Sequence, residues 1–178
     1  MQTLHVFRLT ATATVPEIAT AGSACFDLKA DIPTGTKVDM FGKVQFDPMF
    51  GSNQQPGGVV VSTENRILLQ PGTRAKIPTG LVFDIPLNHS VRLHPRSGVA
   101  LKKGITLINA EGVVDSDYVE EVCLAVTNLS NESVEIFNGD RLAQAELVEN
   151  TPCAIVTADS RPARKTERSG GFGSTGTK

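Results

Sequence analysis

The stretch from Gly112 to Tyr118 carries the residues best suited to chemistry, because it places the carboxylate of Asp115 between a glycine and an aromatic ring. Two valines after the glycine favour extended backbone, and the Asp-Ser-Asp sequence that follows favours a turn. Strand-like residues over 104–108 and 122–127 predict a hairpin with this stretch at its tip. Such a tip can form one wall of a pocket. An acidic hairpin turn is also a common structural feature, so this stretch alone leaves both readings open.

A second stretch, Pro95 to Gly98, precedes the only good helix candidate, Ser97 to Lys103. We expect Ser97 to cap this helix, and Gly104 to end it after two lysines. A helix start presents free N–H groups, and Arg96 adds a planar set of donors, a combination that suits phosphate. A serine cap beside a solvated arginine is the alternative.

Two further stretches place polar side chains next to small residues. In Gly139 to Gln144, a turn leads into a strand, and the Gln144 amide is positioned to donate to a phosphate oxygen or to face solvent. In Ala21 to Leu28, Asp27 is a candidate to hold Mg²⁺, directly or through water. An ordinary turn aspartate is the alternative there.

The end of the chain, Arg168 to Gly176, is rich in glycine. Successive N–H groups of such a run can surround an anion, and Ser174 and Thr175 add hydroxyl donors. The stretch lacks the Gly-Lys-Ser/Thr of a P-loop. Phe172 has no core to join, so we expect it to stack on a ligand base when the tail closes as a lid; a flexible linker is the alternative.

Composition indicates one globular domain, and the net charge of −2 argues against a nucleic-acid partner. The three cysteines show no metal-ligand spacing with the histidines, and Cys123 lies in an apolar run that predicts a small buried side chain. No signal peptide or membrane-spanning run is evident, so we expect no membrane association and a reducing compartment. We expect that compartment to be the cytoplasm, or the nucleus or host cytoplasm for a eukaryotic or viral protein, and we do not expect secretion.

Short β-rich runs separated by Gly and Pro predict an all-β sandwich or barrel with one short helix. The runs are Leu4 to Leu9, Arg66 to Leu69, Gly80 to Ile85, Ser90 to His94, Ile105 to Ile108, Val122 to Thr127, Ser133 to Phe137 and Arg141 to Val148. Residues 34–65 mix Gly, Pro, Asn and Gln with isolated Phe and Met residues, which predicts an insertion, either a β-arm or a mobile loop. We therefore expect a core over 1–157 that carries this insertion, and a flexible C-terminal lid over 158–178.

Taken together and in this order, the stretches resemble the five motifs of the trimeric deoxyuridine triphosphatase (dUTPase) family. The motifs are, in order, Ala21 to Leu28, Pro95 to Gly98, Gly112 to Tyr118, Gly139 to Gln144 and Arg168 to Gly176. The resemblance covers nearly the whole chain except 34–65. It implies a β jelly roll that forms a homotrimer with three shared active sites. One subunit would supply the first, second and fourth motifs, another the hairpin and a third the lid.

The resemblance also implies Mg²⁺-dependent hydrolysis of dUTP to dUMP and pyrophosphate, with a role for each motif residue. Asp115 would orient and deprotonate the attacking water, and Asp27 would hold the metal through water. Tyr118 would pack under the deoxyribose and reject a 2′-hydroxyl. The remaining substrate-binding residues it implies are Arg96, Ser97, Gly98, Asn109, Gly112, Val114, Gln144, Arg168, Phe172, Gly173, Ser174 and Thr175.

Some residues depart from the family pattern. Cys25-Phe26 replaces a more usual Gly-Tyr, Glu111 stands where a small or apolar residue is usual, and Val119-Glu120 replaces a polar residue and Gly. These departures affect the shape expected for the hairpin more than the chemistry.

Two other functions are alternatives to dUTP hydrolysis. The related dCTP deaminases carry Arg-Ser-Ser-x-x-Arg in the second motif and a catalytic Glu after the hairpin. Gly98, Leu101 and Ala125 occupy those positions here, which argues against deamination. The other alternative is a nucleotide-sensing regulatory trimer whose 34–65 insertion binds a protein partner. The apolar side chains of the insertion would anchor that contact or, as we favour, pack the insertion onto its own barrel; they are Phe41, Phe46, Met49 and Phe50.

Overall fold

The computed structural model describes residues 2–42 and 58–167. The predictions for Arg168, Phe172, Gly173, Ser174 and Thr175 lie outside the described residues. So do those for Phe46, Met49 and Phe50 of the expected insertion.

Within the described residues the chain forms thirteen β-strands and one short α-helix. The strands are β1 His5–Arg8, β2 Phe26–Lys29, β3 Lys37–Phe41, β4 Gly58–Val61, β5 Arg66–Leu69, β6 Arg74–Pro78, β7 Leu81–Asp84, β8 His89–Pro95, β9 Ile105–Leu107, β10 Gly112–Asp115, β11 Cys123–Asn128, β12 Val134–Phe137 and β13 Arg141–Glu149, and the helix is α1 Ser97–Lys103. The prediction of an all-β protein with one helix is confirmed.

Two larger sheets dominate the architecture. One has the strand order β10-β8-β13-β2, and the other has the order β4-β3-β6-β11-β9. The pairs β1-β7 and β12-β5 form two smaller sheets. Neighbouring strands in all four sheets pair antiparallel.

The core comes from the inward positions of both large sheets. Leu28 and Val91 of the four-stranded sheet and Ile77 and Leu124 of the five-stranded sheet are fully buried in one hydrophobic cluster. Along β2 the burial alternates, so Phe26 and Leu28 point inward while Asp27 remains partly exposed. This period-2 pattern brings the polar side chains of the strands to the outer face.

Helix α1 has the predicted bounds, but the predicted cap is wrong. Ser97 is the first helical residue, and Arg96 occupies the cap position with an extended backbone and no side-chain cap hydrogen bond. Because β8 runs directly into the helix, Arg96 continues the strand. At the other end Gly104 adopts the left-handed conformation, with φ of 67°, as predicted.

The predicted hairpin exists at its base, where β9 pairs with β11. Its tip is not a simple turn: Gly112–Asp115 forms β10, which pairs with β8, with Gly112 opposite Leu93 and Asp115 opposite Ser90. The turn begins only after Asp115, whose carbonyl accepts a 3.1 Å hydrogen bond from the Tyr118 N–H.

The described parts of 34–65 include two paired strands. β3 pairs with β4 on one side and with β6 on the other, and Val38 and Met40 are buried in the core. Strand β3 is therefore an integral part of the five-stranded sheet.

We expect Gly104→Ala to lower the free energy of unfolding by about 2–3 kcal/mol, since a left-handed backbone disfavours alanine and overpacking adds to that cost. A Cβ at Gly104 would lie 2.8 Å from the Ser130 Cβ and 2.9 Å from its backbone N. Urea denaturation measures the change. Gly22→Ala is the matched control, because a Cβ there meets no atom within 4 Å. Equal stabilities of the two variants would contradict this account of the helix end.

Candidate active site

The first group of polar side chains lies where β2, β13 and β8 run side by side. Gln144 of β13 is opposite Asp27 of β2 on one side and opposite His94 of β8 on the other. Arg96 follows β8, and Arg141 begins β13. The antiparallel register thus brings together residues that are more than 100 positions apart in the chain.

Asp27 is the centre of this group. Its Oδ1 lies 2.7 Å from the Arg96 Nε, and its Oδ2 lies 3.1 Å from the Arg141 Nη1. The Arg96 Nη1 also donates to the Arg141 carbonyl oxygen over 3.2 Å. We name Asp27, Arg96 and Arg141 the arginine cluster. Two guanidiniums against one carboxylate leave an excess of one positive charge, and the side chains stay partly solvent-accessible, so the arginine cluster is suited to an anion.

Gln144 is held next to the arginine cluster. Its Nε2 donates a 3.1 Å hydrogen bond to the carbonyl oxygen of Pro95, directly before Arg96. Ser97 and Gly98, in the first turn of α1, are both exposed. The structure therefore gathers the described residues of the first, second and fourth stretches on one side of the four-stranded sheet.

The second group of residues lines a cleft of about 180 Å³ at β10 and the turn that follows it. The lining residues are Leu93, Asn109, Val113, Val114, Asp115, Tyr118, Val122 and Cys123. Val114 is buried, whereas the carboxylate-bearing Asp115 is exposed. The cleft combines an apolar floor with a carboxylate, an amide and a phenol, as ligand sites do.

Close packing explains the glycine at the start of β10. A Cβ at Gly112 would lie 3.1 Å from the Asn109 Nδ2 and 3.2 Å from the Leu93 Cβ. A larger residue there would require Asn109 or Leu93 to shift by a few tenths of an ångström. Tyr118, which also lines the cleft, donates its hydroxyl to the Glu121 carbonyl oxygen over 2.9 Å.

The two groups are far apart within one chain. Asp115 is opposite Ser90 at the start of β8, whereas Arg96 follows the other end of that strand. Six residues of extended chain between Ser90 and Arg96 correspond to about 20 Å. One chain thus has an arginine cluster suited to an anion and a cleft with an exposed carboxylate, but it does not bring them together.

The structure describes no group of three or more His, Cys, Asp or Glu side chains in residues 2–42 and 58–167 that could hold a metal ion. Asp27 is the carboxylate that the sequence analysis assigned to Mg²⁺, and here it pairs with two arginines. Over the same residues, no helix has the length and apolar character needed to cross a membrane.

Sequence reasoning missed Arg141. It stands in the fourth stretch, but nothing local distinguishes an exposed arginine after a turn from a solvated one. Its contact with Asp27, 114 positions away, depends on the pairing of β13 with β2.

The cysteines are free thiols: Cys25 and Cys123 are partly buried, and Cys153 is exposed. Cys123 is thus less buried than predicted, because it faces the cleft rather than the core. Desolvation by burial, with a smaller contribution from Glu121, raises the pKa of the Cys123 thiol to about 11. Burial and two nearby carboxylates, Glu146 and Asp27, also raise the pKa of Cys25.

We expect Cys153 to react first with a thiol reagent such as DTNB at pH 8. Only about 0.1% of Cys123 is thiolate at that pH, because its pKa lies about three units higher. The rate at which Cys123 reacts with the reagent should rise about tenfold per pH unit at pH values below its pKa. Cys153→Ser and Cys123→Ser variants identify the fast and slow phases by their loss. A fast phase that survives in Cys153→Ser and disappears in Cys123→Ser would refute the assignment.

Comparison with known proteins shows what the chain is similar to. A deoxyuridine 5′-triphosphate nucleotidohydrolase of Caulobacter vibrioides is 37% identical over 163 residues, which cover 91% of this chain and 85% of that protein. A structure of a mutant Staphylococcus bacteriophage 80alpha dUTPase with dUpNHpp matches with a TM-score of 0.70 at 20% identity, covering 99% of each chain.

A mutant dUTPase from phage phi11 of S. aureus, whose structure concerns the coordination of a structural Mg(II) ion, matches with a TM-score of 0.64 at 18% identity over 89% of this chain and 98% of that one. These structural likenesses confirm the predicted jelly-roll fold. The dUTPase family model matches residues 51–176, which is more than half of the chain. The chain therefore belongs to the dUTPase family.

Proposed function

We propose that this protein hydrolyses dUTP to dUMP and pyrophosphate by attack of water on the α-phosphorus. A dUTPase is a dUTP diphosphatase, so the enzyme class follows from membership of the family. The observation that carries the mechanism is the division of the polar residues into an arginine cluster and a separate cleft with an exposed carboxylate. The former suits a triphosphate, and the latter suits a nucleoside with a water molecule.

The separation of the two groups supports a shared site in a homotrimer. The reacting α-phosphorus and the phosphates that follow it belong to one small molecule, so Asp115 and the arginine cluster must meet around it. Because β8 holds them about 20 Å apart in one chain, the cleft of one subunit must face the arginine cluster of another.

In the reaction, Asp115 is the general base. Its carboxylate accepts a proton from water as the water oxygen forms a bond to the α-phosphorus. The bond from that phosphorus to the bridging oxygen of the β-phosphate breaks, and pyrophosphate leaves with the electron pair. Arg96, Arg141 and the Gln144 amide neutralise and hold the phosphate oxygens, since phosphoryl transfer depends mainly on positioning and charge stabilisation.

The cleft accounts for substrate selection. Tyr118 forms the wall under the deoxyribose, where a 2′-hydroxyl would collide with the ring, and Asn109 lies next to the base. Backbone groups of β10 pair with uracil, and the narrow cleft excludes the methyl group of thymine.

Magnesium fits this arrangement as a companion of the substrate. Mg²⁺ is commonly held by one or two carboxylates together with substrate phosphates and water, and Asp27 is the carboxylate beside the phosphate-binding arginines. When bound, the ion neutralises phosphate charge and favours one triphosphate conformation. Asp27 has a second role in holding Arg96 and Arg141 in place.

The C-terminal stretch completes the proposal. Arg168 binds the γ-phosphate, Phe172 stacks over uracil, and Gly173, Ser174 and Thr175 surround the phosphates as a lid from a third subunit. A cytoplasmic location and a protein partner at 34–65 remain predictions from the sequence.

We expect Asp115→Asn to lower kcat/KM for dUTP by about 10²–10⁴-fold, the range that a positioned general base supplies. The amide cannot accept the proton, but it keeps the shape of the side chain. Pyrophosphate release is measured with dUTP, dTTP, dCTP and UTP in the presence of Mg²⁺. The wild type should act on dUTP alone.

Asp117→Asn is the matched control, because Asp117 is an exposed carboxylate in the turn and does not line the cleft. It should retain wild-type activity. Loss of activity in Asp117→Asn, with Asp115→Asn unaffected, would show that Asp117 is the base and would contradict the assignment to Asp115. No release from any nucleotide by the wild type would refute the proposed reaction.

A further inference from the structure

Tyr118 lies in the segment that connects β10 to β11. Its side chain is 41% exposed, although it forms a wall of the cleft. Its hydroxyl donates to the backbone carbonyl oxygen of Glu121 over 2.9 Å, which closes the turn. The position of the phenol therefore depends on where the backbone of Glu121 lies.

The Glu121 side chain fixes that backbone to another part of the fold. Its Oε1 accepts a 2.7 Å hydrogen bond from the N–H of Gly80, in the turn between β6 and β7. The bond joins a carboxylate to a partly buried backbone donor, a type of hydrogen bond that is stronger than one between neutral groups. Without Glu121 the Gly80 N–H would lose this partner.

The turn at Gly80 is itself closely packed. Gly80 has φ of 66°, and a Cβ there would lie 2.4 Å from the Asp31 Oδ2 and 2.6 Å from the Ala13 Cβ. Its carbonyl oxygen accepts a 2.8 Å hydrogen bond from the Leu9 N–H. Glu121 is therefore attached to a point that has little freedom to move.

The next residue binds to the same turn. The Val122 N–H donates to the Leu81 carbonyl oxygen over 2.8 Å, and the Thr79 hydroxyl donates to the Val122 carbonyl oxygen over 2.5 Å. These bonds hold the base of the cleft wall. The Glu121 side chain adds a further contact with this turn, one residue closer to Tyr118, through its hydrogen bond from the Gly80 N–H.

We propose that Glu121 is a positioning residue for Tyr118, and that selection of the 2′-deoxy sugar depends on it. The inference deepens the proposed function, since it rests on the cleft that would hold the sugar. Glu121 does not touch the substrate. It acts through the turn whose carbonyl oxygen receives the Tyr118 hydroxyl.

Three full-length variants test the proposal. Glu121→Ala removes the acceptor for the Gly80 N–H, whereas Glu121→Gln keeps an oxygen at that position. Glu120→Ala is the matched control, because Glu120 is exposed and has no hydrogen bond or ion pair among the described residues. The values of kcat and KM are measured separately for dUTP and UTP, and melting temperatures show that each variant is folded.

We expect Glu121→Ala to raise KM for dUTP roughly tenfold, the effect of one lost charge-assisted hydrogen bond. The preference for dUTP over UTP should fall by a similar factor, while kcat for dUTP changes less than KM. In Glu121→Gln, KM for dUTP and the preference for dUTP over UTP should both stay within about threefold of the wild-type values. Glu120→Ala should match the wild type.

A second measurement is independent of activity. The chain has one tyrosine and no tryptophan, so its tyrosine fluorescence comes from Tyr118 alone. The Stern–Volmer constant for acrylamide quenching of this emission should be about twofold larger in Glu121→Ala than in the wild type, because the released ring is more accessible. Glu121→Gln and Glu120→Ala should be quenched as the wild type is.

Unchanged quenching and an unchanged dUTP preference in folded Glu121→Ala would overturn the inference. A fall in kcat and melting temperature without any change in preference would also overturn it, because that pattern indicates a structural role only. If the wild type releases no pyrophosphate from dUTP, the proposed function fails. The quenching experiment then still decides whether Glu121 holds Tyr118.

Discussion

The arrangement of the candidate site depends on the pairing of β13 with β8 on one side and with β2 on the other. This pairing puts Gln144 between Asp27 and His94, and it brings Arg96 and Arg141 to the same carboxylate. It also fixes β10 on the far side of β8, with Asp115 near the strand end that is remote from Arg96. The register that assembles the arginine cluster therefore separates it from the cleft that carries Asp115. The proposed reaction therefore needs a second copy of the chain to bring the arginine cluster and Asp115 together.

The cleft is built by a different part of the fold. Its floor comes from β8 and β10, whereas its outer wall is attached to the turn between β6 and β7 through Glu121, Val122 and the side chain of Thr79. Close approach requires the glycine at 80, where a Cβ would lie 2.4 Å from the Asp31 Oδ2, and favours the glycine at 112, where the nearest atom would lie at 3.1 Å. The wall that carries Tyr118 is consequently set by contacts with the body of the protein, although the ring itself is half exposed. This combination leaves the ring accessible to a ligand while limiting its freedom.

The features that could be predicted from the sequence are those that depend on residues close together in the chain. Helix α1 has its predicted bounds, because β8 ends where Pro95 precedes a short helical run and Gly104 supplies a left-handed end. Five strands were not among the predicted strand runs. β3 and β4 lie in the stretch predicted as a β-arm or a mobile loop. β2 and β10 are only four residues long, and β6 alternates charged and apolar residues before ending at a proline. The ion pairs of Asp27 with Arg96 and Arg141, and the bond from Gly80 to Glu121, could not be predicted from local pattern. They follow from strand register, and register couples residues that are distant in the chain.

The most direct test of a site shared between subunits is activity in mixed trimers. Asp115→Asn and Arg96→Ala chains, each carrying a different affinity tag, are coexpressed, and trimers that contain both are isolated and assayed for pyrophosphate release from dUTP. Each variant alone should be nearly inactive. If Asp115 of one chain acts with Arg96 of its neighbour, every trimer that contains both chains has one site of three with both wild-type residues, so about a third of wild-type activity should return. Activity no higher than that of the two parents, in trimers shown to contain both chains, would contradict the shared site.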